Sequence, residues 1–168
     1  MSSANMKMIN MNQIGLKTGG ASQNILHTIR GYFSGMSWFS FSALILIGDG
    51  QGRIGYGFAK ANEVSDAIRK GTEAAKKNII EFEFDGNTIP HEIQVDWHGA
   101  RVLMKPAPEG TGVVAGSKVR AVLELGGVKN VVAKSLGSSN AMNQVGAAIK
   151  ALMSLRNRSK TLSNRGLA

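Results

Sequence analysis

The side chains that most often perform chemistry are few in this chain, and they do not combine into a catalytic or metal site. Cysteine is absent, which excludes disulfides, a cysteine nucleophile and cysteine-ligated zinc. His91 and His98 lie near Asp96, but a metal site would need a third ligand and catalysis would need an activated nucleophile. No Ser-His-Asp order and no carboxylate pair stands out in the sequence. We therefore predict a protein that is not an enzyme, with no cofactor, no metal and no small-molecule substrate.

Two glycine-rich segments resemble phosphate-binding loops. Residues 50–55 match the glycine pattern of dinucleotide-binding folds, but residues 53–59 alternate as in a strand, whereas that chemistry needs a helix there. A hairpin turn is therefore the better interpretation. Residues 110–118 have the wrong spacing for a nucleotide loop, and Lys118 follows Ser117 rather than preceding it. This second loop either holds one phosphate of a polymer with its backbone N–H groups or simply lets a helix and a sheet approach closely.

The excess of positive charge points to a polyanionic partner. The 168 residues include 20 Lys and Arg against 11 Asp and Glu, a net charge of +9. Such a balance is typical of proteins that bind nucleic acid or anionic membranes. The net charge is +3 over residues 1–48, −1 over residues 49–124 and +7 over residues 125–168. Charge concentrated at the ends indicates arms and faces that bind phosphates. The longest apolar run, residues 43–47, is too short to span a membrane.

The first half of the chain predicts a flexible arm followed by an antiparallel sheet. Residues 1–22 show little periodicity and form the arm. Residues 23–32 suit either a strand or a short helix. Residues 39–48 alternate like a strand, and Asp49-Gly50 signals a tight turn into a second strand over residues 53–59.

An amphipathic helix is predicted next, over residues 63–80, with Asn62 as its N-cap. Its polar face carries basic side chains together with Glu73. That face is either an ordinary solvated surface or a stripe that lies on a phosphate backbone. The basic residues are Arg69, Lys70, Lys76 and Lys77.

The second half alternates strands and helices, as in a two-layer α/β sandwich. A polar connector over residues 81–90 marks the boundary. We place the first domain at 23–84, the second at 88–157 and a basic tail at 158–168. The second domain is predicted to contain strands at 91–97, 100–105 and 128–135, and a helix at 113–125 ended by Gly126-Gly127. A last helix is predicted to be capped by Ser139. Its buried stripe is Met142, Val145, Ile149, Leu152 and Met153.

Several long blocks of this sequence resemble the small-subunit ribosomal protein S5 family. The likeness runs from about residue 39 to residue 155. It implies an α+β fold: a first domain similar to double-stranded-RNA-binding folds, with three antiparallel strands and a helix, then a small α/β domain that serves structure rather than catalysis. The matching blocks are residues 39–49, 52–63, 105–116, 127–134 and 137–143.

The resemblance also implies partners and a cellular role. The family binds small-subunit ribosomal RNA near the messenger entry side, touches the ribosomal proteins S4 and S8, and is associated with decoding accuracy and subunit assembly. The family's Lys-Gly-Gly-Arg loop reads Ser34-Gly35-Met36-Ser37 here, so both of its charges are missing. A cytoplasmic bacterial ribosome and an organellar ribosome both fit, and neither membrane partner nor secretory signal is expected.

We expect Lys and Arg side chains to neutralise RNA phosphates, and small polar groups to add hydrogen bonds. A free double-stranded-RNA-binding module or RNA chaperone is the alternative function, and it would bind generic duplexes tightly. A nucleotide-dependent enzyme would need a phosphate loop and an acid–base pair. The expected RNA-binding residues are Ser34, Gly35, Trp38, Arg53, Lys60, Lys70, Lys77, Lys105, Thr111, Lys118, Lys134, Ser138, Asn140, Asn143, Arg156 and Arg158.

Overall fold

The computed structural model describes residues 22–31, 40–84 and 86–156, and over residues 22–31 it describes the backbone alone. Contacts divide the chain into two compact units. The first comprises residues 1–49 and 54–79, and the second comprises residues 50–53 and 80–168. Most of the predicted arm, the Ser34–Ser37 stretch and the whole basic tail lie outside the described residues.

The first unit is built from an antiparallel sheet and one helix. The segment over residues 23–32, for which strand and helix were both open, is a strand. A short fourth strand extends the three-stranded sheet that was expected. The elements are β1 (Ser22–Gly31), β2 (Ser40–Gly48), β3 (Arg53–Ala61) and helix α1 (Val64–Lys77). The fourth strand, β4 (Ile79–Glu81), begins at the last residue of this unit, and the sheet order is β1-β2-β3-β4.

The core of the first unit lies between β2 and α1. Ala43, Ile45 and Ile47 alternate along β2 and pack against the apolar face of the helix. Glycines also let the neighbouring strand β3 come close to the helix, because a Cβ on Gly57 would collide with the carbonyl oxygen of Gly71. The helix residues in this core are Ala67, Ile68 and Ala75.

The predicted bounds and cap of the first helix are wrong. The helix begins at Val64 and ends at Lys77, so it does not extend to residue 80. Glu63, rather than Asn62, is the N-cap residue, because its backbone is still extended with φ −115° and ψ 148°. The β-branched side chains at Ile79 and Ile80 favour a strand, and these residues open β4 instead of continuing the helix.

The second unit contains a mixed sheet and two helices. β7 runs parallel to β8, and the other pairs are antiparallel. Helix α3 packs on β5 and β6, while α2 packs on α3 and β7. The elements are β5 (Ile93–Trp97), β6 (Ala100–Pro106), β7 (Val113–Val114), α2 (Ser117–Gly126), β8 (Val131–Gly137) and α3 (Ala141–Met153), with sheet order β5-β6-β8-β7.

The helix predicted over residues 113–125 begins too early. Val113 and Val114 form β7 and pair with Val131 and Val132 of β8, a partnership distant in sequence that local periodicity does not reveal. Helix α2 starts only at Ser117, after Gly116 as its N-cap. The strand predicted over residues 128–135 is shifted as well, to residues 131–137.

Helix α3 is capped by Asn140 rather than by the predicted Ser139. The Asn140 side chain accepts a hydrogen bond of 3.1 Å from the backbone N–H of Met142. The buried stripe is confirmed at Val145 and at two further predicted positions, Ile149 and Leu152, whereas Met153 is 58% exposed and does not belong to the core.

Residues 50–53 belong to the second unit although they join β2 to β3. The positive φ angles of Gly50 and Gly52 form the predicted hairpin turn. The N–H groups of these two glycines donate 3.0 Å hydrogen bonds to the carbonyl oxygens of Leu125 and Gly126. The turn thus satisfies carbonyl groups that the end of α2 would otherwise leave without partners.

Candidate nucleic-acid interface

The sheet of the second unit has one face turned away from its helices. Val102 and Met104 of β6 and Ala133 of β8 are buried on the helix side. Because side chains alternate along a strand, their neighbours point to the other side, which we call the open face. The open face carries Arg101, Leu103 and Lys105 from β6 and Val132, Lys134 and Leu136 from β8.

Two of the predicted RNA-binding lysines meet on the open face. Lys105 lies opposite Val132 and Lys134 lies opposite Leu103, so the lysines are diagonal neighbours on adjacent strands. Diagonal Cβ atoms in such a pair are about 7–8 Å apart. The Lys105 ammonium forms a 3.3 Å ion pair with Glu92, and both lysines are exposed. Two exposed lysines on adjacent strands of one face can reach phosphates of the same nucleic-acid strand.

Arg101, on the same face, forms an ion pair with the carboxylate of Asp96. Its Nε and Nη2 donate hydrogen bonds of 2.6 and 3.0 Å to the two carboxylate oxygens of Asp96. These hydrogen bonds and the positive charge of Arg101 lower the pKa of the Asp96 carboxyl, and the same pairing raises the pKa of Arg101. The pair lines a depression of about 310 Å³ together with Leu136.

Four other predicted residues meet at the beginning of α3. Lys118 donates to the carbonyl oxygen of Ser139, and the Ser138 hydroxyl accepts from the Asn140 N–H at 3.2 Å. The Asn143 amide donates a 2.7 Å hydrogen bond to the carbonyl oxygen of His98. These hydrogen bonds stabilise the beginning of α3. The residues were predicted as RNA contacts, and this structural role was not predicted.

The glycine-rich loop that carries Thr111 is fixed by two residues that the sequence analysis missed. Asn130, only 7% exposed, accepts a 3.1 Å hydrogen bond from the Gly112 N–H. The Thr88 hydroxyl donates a 2.6 Å hydrogen bond to the Asn130 carbonyl oxygen. The available signal was weak, because exposed Lys129 stands beside Asn130 between Val128 and Val131.

The remaining predicted cations of the described residues are spread over other elements. Lys60 is exposed on β3, and Lys70 and Lys77 are exposed on α1. Arg53 forms a 3.8 Å ion pair with Glu81, and the Arg156 backbone N–H donates to His91 Nε2. The predicted residues therefore form separate groups rather than one site.

Four of the predicted RNA-binding residues lie outside the part of the chain that the structure describes. They are Ser34, Gly35, Trp38 and Arg158. Within the described ranges, no group of three or more His, Asp or Glu side chains could hold a metal ion. In that same part of the chain, no helix is long and apolar enough to cross a membrane.

Exposed cations on the strands, loops and helix of two small α+β units are typical of a nucleic-acid-binding protein. Residues 35–83 match Ribosomal protein S5, N-terminal domain, and residues 95–165 match Ribosomal protein S5, C-terminal domain. The chain belongs to the ribosomal protein S5 family.

Similar curated proteins agree with this assignment. The Small ribosomal subunit protein uS5 of Protochlamydia amoebophila is 66% identical over 129 residues, which cover 77% of each chain. The protein of the same name from Chlamydia abortus is 66% identical over 128 residues, 76% of this chain and 78% of that one. The Chlamydia felis protein is 65% identical over the same share of this chain.

Family membership confirms the main expectations from the sequence. The chain is a bacterial, non-enzymatic structural protein of the small ribosomal subunit, acts in translation and is located on the cytoplasmic ribosome. Its partners are ribosomal RNA and other ribosomal proteins. The α+β fold class is likewise confirmed.

Proposed function

We propose that this protein binds small-subunit ribosomal RNA through the separate groups of cations and polar side chains described above. Its two domains, at residues 23–84 and 88–157, would both contact the RNA, and neither would need to bind or hydrolyse a free nucleotide. We further propose that it touches the neighbouring proteins S4 and S8 and supports decoding accuracy and subunit assembly. The residues predicted from the sequence, including those outside the described ranges, are the proposed contacts.

The observation that carries the proposal is the placement of Lys105 and Lys134 on neighbouring strands of the open face. The sheet fixes the backbones of both lysines, so their side chains start from the same surface. Only the two lysine side chains have to become ordered when RNA binds. Each phosphate neutralised by such a group releases condensed counterions, which favours binding without any base recognition.

The salt dependence of RNA binding tests the proposal. The full chain carrying Lys105→Gln and Lys134→Gln together is compared with wild type on small-subunit ribosomal RNA at several salt concentrations. The slope of log affinity against log salt should fall by about 0.7–0.9 for each lost phosphate contact. Lys129→Gln, which removes an exposed lysine outside the proposed set, is the matched control. An unchanged slope in the double variant would remove the open face from the RNA surface.

Partner and role are tested on the assembled subunit. A tagged chain should sediment with the small subunit, and short-range crosslinks from exposed lysines should reach S4 and S8. Recovery on generic RNA duplexes without the subunit would instead favour the free RNA-binding module. Ribosomes carrying the double variant should show altered misreading or slower subunit assembly.

A further inference from the structure

Trp97 is a large aromatic side chain that the second unit leaves partly open. It ends β5 on the side of the sheet that α3 covers, yet it is 36% exposed. Its indole lies against Gly146 of α3, because a Cβ at that glycine would stand only 2.7 Å from the indole nitrogen. The helix therefore fixes the position of the ring while about a third of the residue remains accessible.

A cation and a constrained turn surround the ring. The Lys150 ammonium lies 4.9 Å from the centroid of the Trp97 ring, within the range of a cation–π interaction. The His98 ring meets the indole edge-on at 4.7 Å between centroids. His98 has a positive φ of 45°, unusual for a residue with a Cβ, and Asn143 holds its carbonyl oxygen. The turn and the helix together preorganise the aromatic side chain.

We propose that Trp97 and Lys150 form an additional RNA-binding site that stacks one unpaired base. An exposed ring accepts any base on its face, and an adjacent ammonium can pair with the phosphate of the same or the next nucleotide. This inference rests on the proposed function, since it adds a contact for unpaired RNA to the cationic groups already described. It differs from them in depending on stacking as well as charge.

The charge around the site favours RNA over a protein partner. The Lys150 ammonium lies over the ring, and no carboxylate of the described residues forms an ion pair with it, so the site has a surplus of positive charge. Asp96 is adjacent to Trp97 in sequence, but it points to the other face of the sheet, where Arg101 neutralises it. A protein surface rich in apolar groups would gain little from this surplus, whereas a polyanion is attracted by it.

Fluorescence of the indole gives a direct measurement. The chain has two tryptophans, so a full-length Trp38→Phe background leaves Trp97 as the sole emitter. Titration with a single-stranded ten-nucleotide oligoadenylate should quench this emission. In the same background, Trp97→Ala should weaken binding of the oligonucleotide, measured by anisotropy of a labelled strand, by about 5- to 150-fold. Trp97→Phe should retain most of the affinity.

The salt dependence of RNA affinity distinguishes the contribution of Lys150 from that of the Trp97 ring. Lys150→Gln should lower the salt slope for the single strand by about 0.7, whereas Trp97→Ala should leave the slope nearly unchanged. Met153→Ala, which shortens another exposed apolar side chain of α3, is the matched control and should bind as its parent does. Circular dichroism melts of every variant confirm that the fold is retained.

Three results would overturn the inference. The first is a Trp97→Ala variant that binds the oligonucleotide normally and melts at a lower temperature, which would make Trp97 a packing residue only. The second is unquenched Trp97 emission at saturating RNA. The third is a Trp97→Ala defect confined to binding another ribosomal protein. If wild type binds small-subunit ribosomal RNA but not the oligonucleotide, this inference alone fails, whereas loss of both would also refute the proposed function.

Discussion

The sheets of the two units bury their strands in different ways. In the first unit every residue from Ala43 to Ile47 of β2 is buried, so both faces of that strand are covered. In the second unit β6 and β8 alternate between buried and exposed residues, which leaves the open face. A strand covered on both sides reads as a continuous apolar run, whereas a half-covered sheet alternates. The buried run of β2 therefore offers no side chain for outside contacts, whereas β6 and β8 present a whole face of exposed side chains.

The units also differ in what sets their internal geometry. In the first, the backbones of β3 and α1 approach directly at Gly57 and Gly71. The second unit also has close backbone approaches, at Gly127 and Gly137, and in addition polar side chains such as Asn130 and Asn140 fix its loops and helix ends. Backbone contact tolerates no added atom, while a hydrogen-bonded cap contributes only about 1 kcal/mol. The comparison therefore predicts unequal sensitivity to substitution.

The largest effect is expected at the close approach in the first unit. Gly57→Ala places a methyl group against the Gly71 carbonyl and 2.5 Å from the Ala75 nitrogen, both backbone atoms that cannot move alone. We expect the free energy of unfolding, from urea denaturation, to fall by about 3 kcal/mol. Gly71→Ala is the matched control, because its methyl group would press on the Ile45 side chain at 2.9 Å and reach no backbone atom closer than 3.8 Å. The substitution also gains helix propensity, so the free energy of unfolding should stay within about 1 kcal/mol of wild type. Equal losses in the two variants would show that backbone contact does not control this packing.

A smaller effect is expected at the cap of α3. Asn140→Ala removes the acceptor for the Met142 N–H and should lower the free energy of unfolding by about 1 kcal/mol. Ser139→Ala alters the neighbouring residue, whose side chain does not cap the helix, and should change stability by less than half of that amount. The reverse ranking would restore Ser139 as the cap and weaken the contrast between the units.

Binding experiments can compare the cationic surfaces directly. Lys70→Gln with Lys77→Gln empties two positions on the exposed face of α1, as the Lys105 and Lys134 changes do on the open face. Each pair should reduce the salt slope for ribosomal RNA by about 0.7–0.9 per lost contact, and the two losses should add if the surfaces bind separately. Lys129→Gln, which removes an exposed lysine outside both surfaces, serves as the control. A helix variant with no effect would identify the α1 face as an ordinary solvated surface.

The smallest effect concerns pH at the edge of the open face. Hydrogen bonds from Arg101 and its charge lower the pKa of Asp96 below its ordinary value of 3.8. The folded state therefore gains stability from this carboxylate above pH 3.8, and loses it as the pH falls through the lowered pKa. Asp96→Asn should show a slightly smaller drop in melting temperature between about pH 6 and pH 2. A drop as large as that of wild type would assign the acid sensitivity to other carboxylates.

Local signals made much of the fold predictable from the sequence. Asp49-Gly50 and the flanking alternation were enough for the hairpin, and the long matching blocks were enough for the family. The strand β7 was missed because Val113 pairs with Val131, far along the chain. The role of Asn130 was missed for the same reason, since its partner Gly112 lies in another loop. The cap was misplaced by one residue because Ser139 and Asn140 are both good cap formers.

The placement of residues 50–53 has a consequence for synthesis of the protein. This turn emerges from the ribosome early, but the carbonyl oxygens that its N–H groups bind, on Leu125 and Gly126, are made much later. Closing so long a segment costs chain entropy before these hydrogen bonds form, which slows folding. A truncated chain that stops before α2 leaves the Gly50 and Gly52 amides without these acceptors. Nascent chains should thus protect these two amides from hydrogen exchange only after the second helix has been translated.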